Sequence, residues 1–280
     1  MLKFSIASFS FHRTLAAGKQ DIFGYIADSR ALGAAQLDPW NAHLTAHKDG
    51  DAVLHGGHNP RDAKFIPADD AHLARVKAAA DAAGLSFGCL AVDGAHVYEP
   101  DAQQRQANRE SAYRWLDVAE KLGAQQVRID AGGPDAMPDD VLAIIVAGYR
   151  DLIQRAADKG IEVLVENHWG PTRYPANVIR LLDAVEGLGL LFDSHNWADG
   201  LQQQAWEMCA PYARSVHIKT FAFDEQGNDP TVDVARVVRL LDDSGYGGVW
   251  GIESVPRDGD EYGAIRQTAA LIERLLTDGT

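Results

Sequence analysis

The chain has 280 residues, 46% of them hydrophobic, and carries a formal net charge of −14 at pH 7. Because nucleic acids and anionic membranes require a basic surface, this charge argues against both as partners. The sequence contains no apolar window of the ~18 residues that a membrane span needs, and its first residues do not resemble a signal peptide. Its only thiols are Cys89 and Cys209. We therefore expect a soluble, cytoplasmic protein with reduced cysteines.

Short apolar runs alternate with longer segments of helical periodicity along the whole chain. Eight strands are predicted, at residues 4–7, 35–37, 86–92, 126–129, 161–166, 190–193, 215–217 and 249–253. The predicted helices cover residues 22–32, 69–83, 103–122, 139–159, 176–185, 201–212, 233–244 and 262–276. Neither a change of composition nor a linker interrupts this pattern, so we expect residues 1–280 to form a single domain.

Strands that alternate with helices of this size pair in parallel through right-handed crossovers. Eight such units of roughly 35 residues fit a closed α/β fold, the (β/α)8 TIM barrel. The competing fold is an open doubly wound sheet, whose first strand is usually followed by a glycine-rich turn. Here the first strand continues into Ser-Phe-Ser-Phe-His-Arg at residues 8–13. The sequence therefore favours the barrel.

A long polar stretch extends from Asn41 to Pro67. Stretches of this length inside a compact domain usually cover a site or are mobile, so this one could form a lid. For its histidines taken one by one we favour a solvated loop without a metal ion. They are His43, His47, His55 and His58.

Four consecutive predicted strands end in side chains of metal-binding type, namely Glu166, Asp193, His217 and Glu253. The carboxyl ends of barrel strands share one rim, so these side chains should converge. Three carboxylates placed together without a cation repel one another strongly, which predicts a divalent metal ion among them. Ligands that are mostly oxygen suit Mn²⁺ best, with Mg²⁺, Co²⁺, Zn²⁺ or Fe²⁺ as alternatives; a structural zinc site would use thiolates. Any one of these residues alone could be a helix cap or loop residue, but the set is specific.

The segments that carry these residues are Val-Glu-Asn-His (165–168), Leu-Phe-Asp-Ser-His-Asn (191–196), Val-His-Ile-Lys (216–219) and Gly-Ile-Glu-Ser (251–254). They resemble the metal-site strand ends of xylose isomerase-like TIM-barrel proteins, the family that includes sugar phosphate isomerases and epimerases. The resemblance extends over the whole chain in its βα order and is sharpest from residue 161 to 256. It implies one divalent metal ion held by the Glu-Asp-His-Glu set. By similarity to ketose 3-epimerases, Glu166 and Glu253 would also carry protons.

Neighbouring residues are further candidates for the site. Lys219 could stabilise an oxyanion or form a salt bridge at the rim. His168 and His195 could transfer protons or hydrogen-bond to a ligand carboxylate. Tryptophans just past strand ends could form the walls of a sugar site or pack beneath the rim loops. The expected substrate-binding residues are Trp40, Trp169, Trp197, Asn196 and Arg257.

Two features depart from the family pattern. Asn196 stands three residues after Asp193, where many members have a histidine. Gly245, Gly247 and Gly248 precede the last strand, at the end of the barrel away from the site, so they do not form a phosphate loop. This argues against a phosphorylated substrate.

The sequence thus predicts a metal-dependent sugar isomerase or epimerase that removes a proton next to the carbonyl of a keto-sugar or related polyol derivative. The alternative is a lyase or dehydratase, resembling inosose dehydratases or enzymes that cleave 3-keto-glycosides, which shares the proton-abstraction step. A hydrolase resembling apurinic endonucleases is disfavoured, because a three-metal cluster needs more histidine and aspartate ligands than Asn196 and Lys219 allow. A non-catalytic metal- or sugar-binding protein and a homo-oligomeric state both stay open.

Overall fold

The computed structural model describes residues 2–45 and 65–278. Within these ranges a parallel sheet is surrounded by helices. The strands are β1 (Phe4–Ala7), β2 (Gln36–Asp38), β3 (Ser86–Phe87), β4 (Cys89–Val92), β5 (Gln126–Ile129), β6 (Glu162–Glu166), β7 (Gly189–Asp193), β8 (Ala213–Thr220) and β9 (Trp250–Ser254). The α-helices are α1 (His12–Ala16), α2 (Ile22–Ala31), α3 (Asp70–Ala83), α4 (Ala102–Leu122), α5 (Asp139–Ala157), α6 (Pro175–Ala184), α7 (Gln202–Cys209), α8 (Val234–Asp243) and α9 (Glu261–Asp278).

The strands are hydrogen-bonded in the order β3-β2-β1-β9-β8-β7-β6-β5-β4. The two edges of this order, β3 and β4, are the halves of the predicted third strand, separated by Gly88. The Gly88 amide donates to Leu37 O on one side (2.8 Å), and its carbonyl accepts from the amide of Gln126 on the other (3.0 Å). One stretch of chain therefore closes the sheet, which confirms the (β/α)8 barrel.

Helix ends follow signals that are readable in the sequence. The Asp69 and Asp101 side chains accept hydrogen bonds from backbone N–H groups in the first turns of α3 and α4, those of His72 and Gln104, as N-cap carboxylates do. Both helices end at a glycine in the left-handed conformation, Gly84 at φ 69° and Gly123 at φ 70°. These caps explain why the two helices end within a residue or two of their predicted limits.

Side chains along each strand alternate between the barrel interior and the layer between sheet and helices. The main hydrophobic cluster fills that outer layer, and a separate small cluster consists of Cys89, Leu164 and Leu191. Leu164 and Leu191 precede Glu166 and Asp193 by two residues, so they face the same way as these acids. Apolar side chains thus form the floor beneath the polar carboxyl ends of the strands.

The polar stretch after β2 differs from its prediction at its beginning. Asn41–Leu44 forms a 3-10 helix that is buried, and His43 is 6% exposed. The expectation of a solvated loop is therefore wrong for His43, because its imidazole is enclosed and lies 2.9 Å from the Ser8 hydroxyl. His47, His55 and His58 lie outside the described residues. None of the helices in the described ranges offers an apolar length sufficient to cross a bilayer.

The backbone at Gly88, where the barrel closes, leaves no room for a side chain. A Cβ at this position would lie 1.6 Å from Gln36 Nε2 and 2.4 Å from Asp38 Oδ1. We expect Gly88→Ala to lower the free energy of unfolding by about 1–3 kcal/mol through overpacking. Gly247→Ala is the control, because a methyl group there would have no atom within 4 Å, and it should change stability by less than about 0.5 kcal/mol. Urea unfolding followed by circular dichroism measures both; equal midpoints for the two variants would contradict the role of Gly88.

Candidate metal centre

The four residues predicted to bind metal meet at the rim. Glu166, Asp193, His217 and Glu253 come from β6, β7, β8 and β9, and each is buried. One ligand atom from each lies within 4.8 Å of those from the others. Strand alternation accounts for the convergence, because each side chain points inward at the carboxyl end of its strand. Across the ladder from His217 lies Gly251, where a Cβ would be 3.1 Å from the imidazole Cδ2.

Two protein cations lie among these carboxylates. The Lys219 ammonium is 3.0 Å from Asp193 Oδ2 and 2.9 Å from Glu253 Oε1. Arg128 Nε is 2.9 Å from Glu166 Oε2, a close ionic contact whose alignment is not that of a hydrogen bond. Protein cations would therefore share with a metal ion the neutralisation of these carboxylates. Buried carboxylates are costly unless they are paired, and Arg128 and Lys219 supply part of that pairing.

Several atoms at the centre are nevertheless left without a hydrogen bond. They are Glu166 Oε2, Asp193 Oδ2 and both ring nitrogens of His217. His217 Nδ1 lies 2.7 Å from Glu253 Oε2, but not with the geometry of a hydrogen bond. Such buried atoms normally have partners. Oxygen and imidazole nitrogen atoms that converge without hydrogen bonds are the donors a divalent cation requires, so these residues fit a metal ion.

The two glutamates of the centre differ electrostatically. Burial raises the pKa of Glu166 above its ordinary value, although Arg128 opposes the shift. Burial would raise the pKa of Glu253 as well, but Lys219 and His217 outweigh it and hold that pKa well below the ordinary value. Burial lowers the pKa of Lys219, yet Asp193 and Glu253 dominate and raise it, so the ammonium stays charged.

Asp193 is fixed in orientation by backbone groups. Its Oδ1 accepts from the amides of His195 (2.7 Å) and Asn196 (2.9 Å), which directs Oδ2 to the centre. The Asn167 side chain bonds to both backbone groups of Asp193, accepting from its N–H (2.8 Å) and donating to its carbonyl (2.9 Å). Asn196 connects the centre further, since its Oδ1 accepts from Lys219 (2.9 Å) and its Nδ2 donates to Glu166 Oε1 (3.3 Å).

A second polar group adjoins the centre. Arg128 Nη1 donates to Asp93 Oδ1 (2.8 Å) and to Asp130 Oδ2 (3.1 Å). His168 Nδ1 lies 3.1 Å from Asp130 Oδ2, and burial, which lowers the pKa of His168, is outweighed by Asp130 and Glu166, which raise it to about 9. Asp93 and Asp130 also accept from tryptophan Nε1 groups at 2.9 Å each, those of Trp40 and Trp169.

A cavity of about 260 Å³ opens above these residues. Of the candidates named from the sequence, Glu166, His217 and Glu253 line it, as do Trp40, His168 and Lys219. Asn196 donates a hydrogen bond to Glu166, a lining residue, and Trp169 donates one to Asp130, which lies behind the lining residue His168.

Three candidates lie elsewhere. Trp197 is 4% exposed and packs on Phe192, with ring centroids 5.8 Å apart, which matches the alternative of packing beneath the rim. His195 is exposed and contacts Phe221 edge-on at 4.6 Å. The Arg257 side chain is exposed and is not among the cavity-lining residues.

Sequence reasoning missed a group of cavity residues from the first half of the barrel. The carboxylates among them follow the rule that was applied to the later strands, since each lies at or just past a strand end. Arg128 has a different signal, a charge two residues before Asp130 within a short strand that must point inward with it. The missed cavity residues are Ser8, Asp38, Asp93 and Arg128, with Asp130 and Asn167 in support.

Comparison with known proteins places this geometry in context. A sequence profile described as xylose isomerase-like TIM barrel matches residues 46–275. One curated relative, the C-glycoside deglycosidase alpha subunit of Microbacterium trichothecenolyticum, is 35% identical over 85 residues. That match spans 26% of this chain and 23% of the relative, so it covers only a part of either protein.

Solved structures share the fold along nearly the whole chain. The 3-keto-D-glucoside 4-epimerase of E. coli has a TM-score of 0.72 at 15% identity, covering 98% of this chain and 100% of its own. The probable 3-DHS dehydratase of Bacillus anthracis has a TM-score of 0.69 at 14% identity, with coverage of 97% and 99%. A xylose isomerase-like TIM-barrel protein of Mycobacterium smegmatis, solved with magnesium, has a TM-score of 0.68 at 16% identity, with coverage of 99% and 97%. At these identities the likeness concerns the fold alone.

The Asn167 clamp on Asp193 can be tested by stability. We expect Asn167→Ala to lower the free energy of unfolding by about 2 kcal/mol or more, because each buried backbone group left unsatisfied costs about 1–3 kcal/mol. Asn177→Ala is the matched control, since Asn177 also donates to a carbonyl, Pro171 O at 3.1 Å, but is half-buried where water can replace it. Urea midpoints decide; an Asn167 variant as stable as the Asn177 variant would show that the clamp contributes nothing.

Proposed function

The chain belongs to the xylose isomerase-like TIM-barrel family, and from that membership we propose that it is a divalent-metal-dependent isomerase or epimerase of a keto-sugar or related polyol derivative. The observation that carries the proposal is the convergence of Glu166, Asp193, His217 and Glu253 on one buried point beneath a cavity. Enzymes of this fold that act on sugars, such as the 3-keto-D-glucoside 4-epimerase of E. coli, support it. The whole chain, residues 1–280, would act as one domain.

The same four residues would hold the metal ion. When bound there, a divalent ion draws electron density from a carbonyl oxygen and so makes the neighbouring C–H more acidic. We propose Mn²⁺, which suits a mostly oxygen ligand set, with Mg²⁺ as the alternative that the M. smegmatis structure supports.

The proton carriers in this proposal are the carboxylates of Glu166 and Glu253. They extend from β6 and β9, on different sides of the centre, and both line the cavity. One would remove the proton next to the carbonyl and the other would return a proton to the opposite face. Lys219, charged and at the cavity wall, would donate a hydrogen bond to the oxygen that gains negative charge.

The lining of the cavity supports an uncharged sugar as substrate. Trp40 offers an apolar surface, and buried acids offer acceptors for hydroxyl groups. Each cationic side chain of the described lining already contacts a carboxylate: Arg128 contacts Asp93, Lys219 contacts Asp193, and His168 contacts Asp130. Each of these three lining cations thus has a carboxylate partner, which favours an uncharged substrate over a phosphorylated one.

A lyase is the second candidate, and His168 favours it. Its imidazole lines the cavity, is held by Asp130, and has a pKa raised to about 9, so it is protonated at neutral pH. An acid at this position could protonate a leaving group after a glutamate removes the proton next to the carbonyl. The partial similarity to a C-glycoside deglycosidase subunit and the fold shared with a probable dehydratase point the same way.

Metal removal tests the first part of the proposal. Because the ion would relieve repulsion among buried carboxylates, chelation should lower the melting temperature, and Mn²⁺ should restore it. Asp193→Ala should bind Mn²⁺ at least tenfold more weakly than the parent, measured by equilibrium dialysis. Asp199→Ala is the control, since Asp199 is fully exposed on the rim. A parent protein that melts identically with and without chelator and retains no divalent metal would exclude the metal site.

Deuterium exchange tests the chemistry. Incubation with a panel of keto-sugars in D₂O should place deuterium on the carbon next to the carbonyl, detected by proton NMR, and appearance of a free leaving group would identify the lyase. A proton carrier contributes roughly 10²–10⁴-fold to rate, so Glu166→Gln and Glu253→Gln should each lose that much while keeping an oxygen ligand. Glu162→Gln, at the opposite end of β6, is the matched control. Turnover of a keto-sugar without exchange would contradict the mechanism.

A further inference from the structure

Beside the four proposed metal ligands lies a second set of metal-binding type. Ligand atoms of Asp93, Asp130 and His168 lie within 4.8 Å of one another, and both aspartates are buried. Two carboxylates and an imidazole are donors that divalent cations use in proteins. Two members of this set, Asp93 and Asp130, contact a protein cation, the guanidinium of Arg128, whose side chain is 5% exposed.

The guanidinium contacts one carboxylate on each of three neighbouring parts of the barrel. Its Nη1 is 2.8 Å from Asp93 Oδ1 and 3.1 Å from Asp130 Oδ2. Its Nε is 2.9 Å from Glu166 Oε2. Glu166 is therefore shared between Arg128 on one side and the proposed metal site on the other. A bridging carboxylate between two cationic positions is the arrangement of a two-metal site, with an arginine at one of them.

We propose that Arg128 is a fixed cation in the place of a second metal ion, which limits the centre to one exchangeable divalent ion and holds Glu166 in position for it. The inference rests on the proposed metal site at Glu166, Asp193, His217 and Glu253. The guanidinium suits this role because it keeps its charge at any physiological pH and presents donors in a planar fork. Unlike an ion, it cannot dissociate, so the charge balance of this side of the cavity does not depend on metal supply.

A simple structural salt bridge predicts something different. The carboxylates around Arg128 also hold cavity groups, since Asp93 accepts from Trp40 and Asp130 lies against His168. If Arg128 only tied the strands together, its removal would loosen the barrel and weaken every function of the centre. If it takes the place of an ion, its removal should leave Asp93, Asp130 and Glu166 as a vacant ligand set that a divalent cation can enter.

The test is the number of Mn²⁺ ions bound per chain, by equilibrium dialysis with elemental analysis. The parent and Arg128→Lys should bind one, because both keep a cation there. Arg128→Met, similar in length but uncharged, should bind two, and Arg128→Met with Asp130→Asn should return to one. Arg236→Met is the matched control, because it removes a half-buried arginine that is paired with Glu207 away from the cavity, and this variant should bind one ion. Tryptophan fluorescence gives an independent signal: the second ion should shift the emission of Arg128→Met, since Asp93 and Asp130 bind the Trp40 and Trp169 indoles.

The outcomes separate this inference from the proposed function. A parent that binds no divalent ion contradicts both. A parent that binds two ions, or a folded Arg128→Met that binds only one, overturns the inference and leaves the proposed function standing. If Arg128→Met unfolds without ions, saturating Mn²⁺ should restore its cooperative unfolding transition; a variant that stays unfolded with Mn²⁺ also overturns the inference.

Discussion

Charge compensation among buried carboxylates is the constraint on which the rest of this site depends. The barrel brings together around the candidate metal centre five acids that are each 7% exposed or less. Ionised carboxylates cannot be withdrawn from water to this extent without cations beside them. Arg128, Lys219 and the imidazolium of His168 supply three positive charges, fewer than the acids, so a net negative charge remains that a divalent ion would reduce. The acids are Asp93, Asp130, Glu166, Asp193 and Glu253.

The fold supplies this constraint through its closure. Because the chain at Gly88 bonds to β2 on one side and β5 on the other, the first strands are drawn into the same ring as the later ones. Asp38 and Asp93 therefore face the same cavity as Glu253, although they lie far from it in sequence. An open sheet would place these acids at distant positions and would not need cations between them. Closure of the barrel thus brings the acids together, and the cations between them make that closure energetically possible.

The sequence was informative where one local rule decides the structure. Glycine caps and apolar periodicity predicted the helices, and polar residues at strand ends predicted the convergence of Glu166, Asp193, His217 and Glu253. It was uninformative where the outcome depends on contacts between distant elements. Trp169 and Trp197 occupy equivalent places past a strand end, yet Trp169 bonds to Asp130 while Trp197 is packed against Phe192. The inward charge of Arg128 and the strand break at Gly88 likewise become meaningful only once neighbouring strands are known.

The pairing of every cationic group in the described cavity lining has a consequence for the response to ionic strength. Dissolved ions screen charges that face water over a Debye length of about 8 Å at physiological salt. The contacts of Arg128 and Lys219, at 2.8–3.1 Å and out of water, lie largely beyond that screening. The surplus negative charge of the chain, −14 in all, is carried mostly by exposed side chains and is readily screened. Salt should therefore change the rate at which this protein associates with other charged macromolecules far more than it changes the ion pairs inside the barrel.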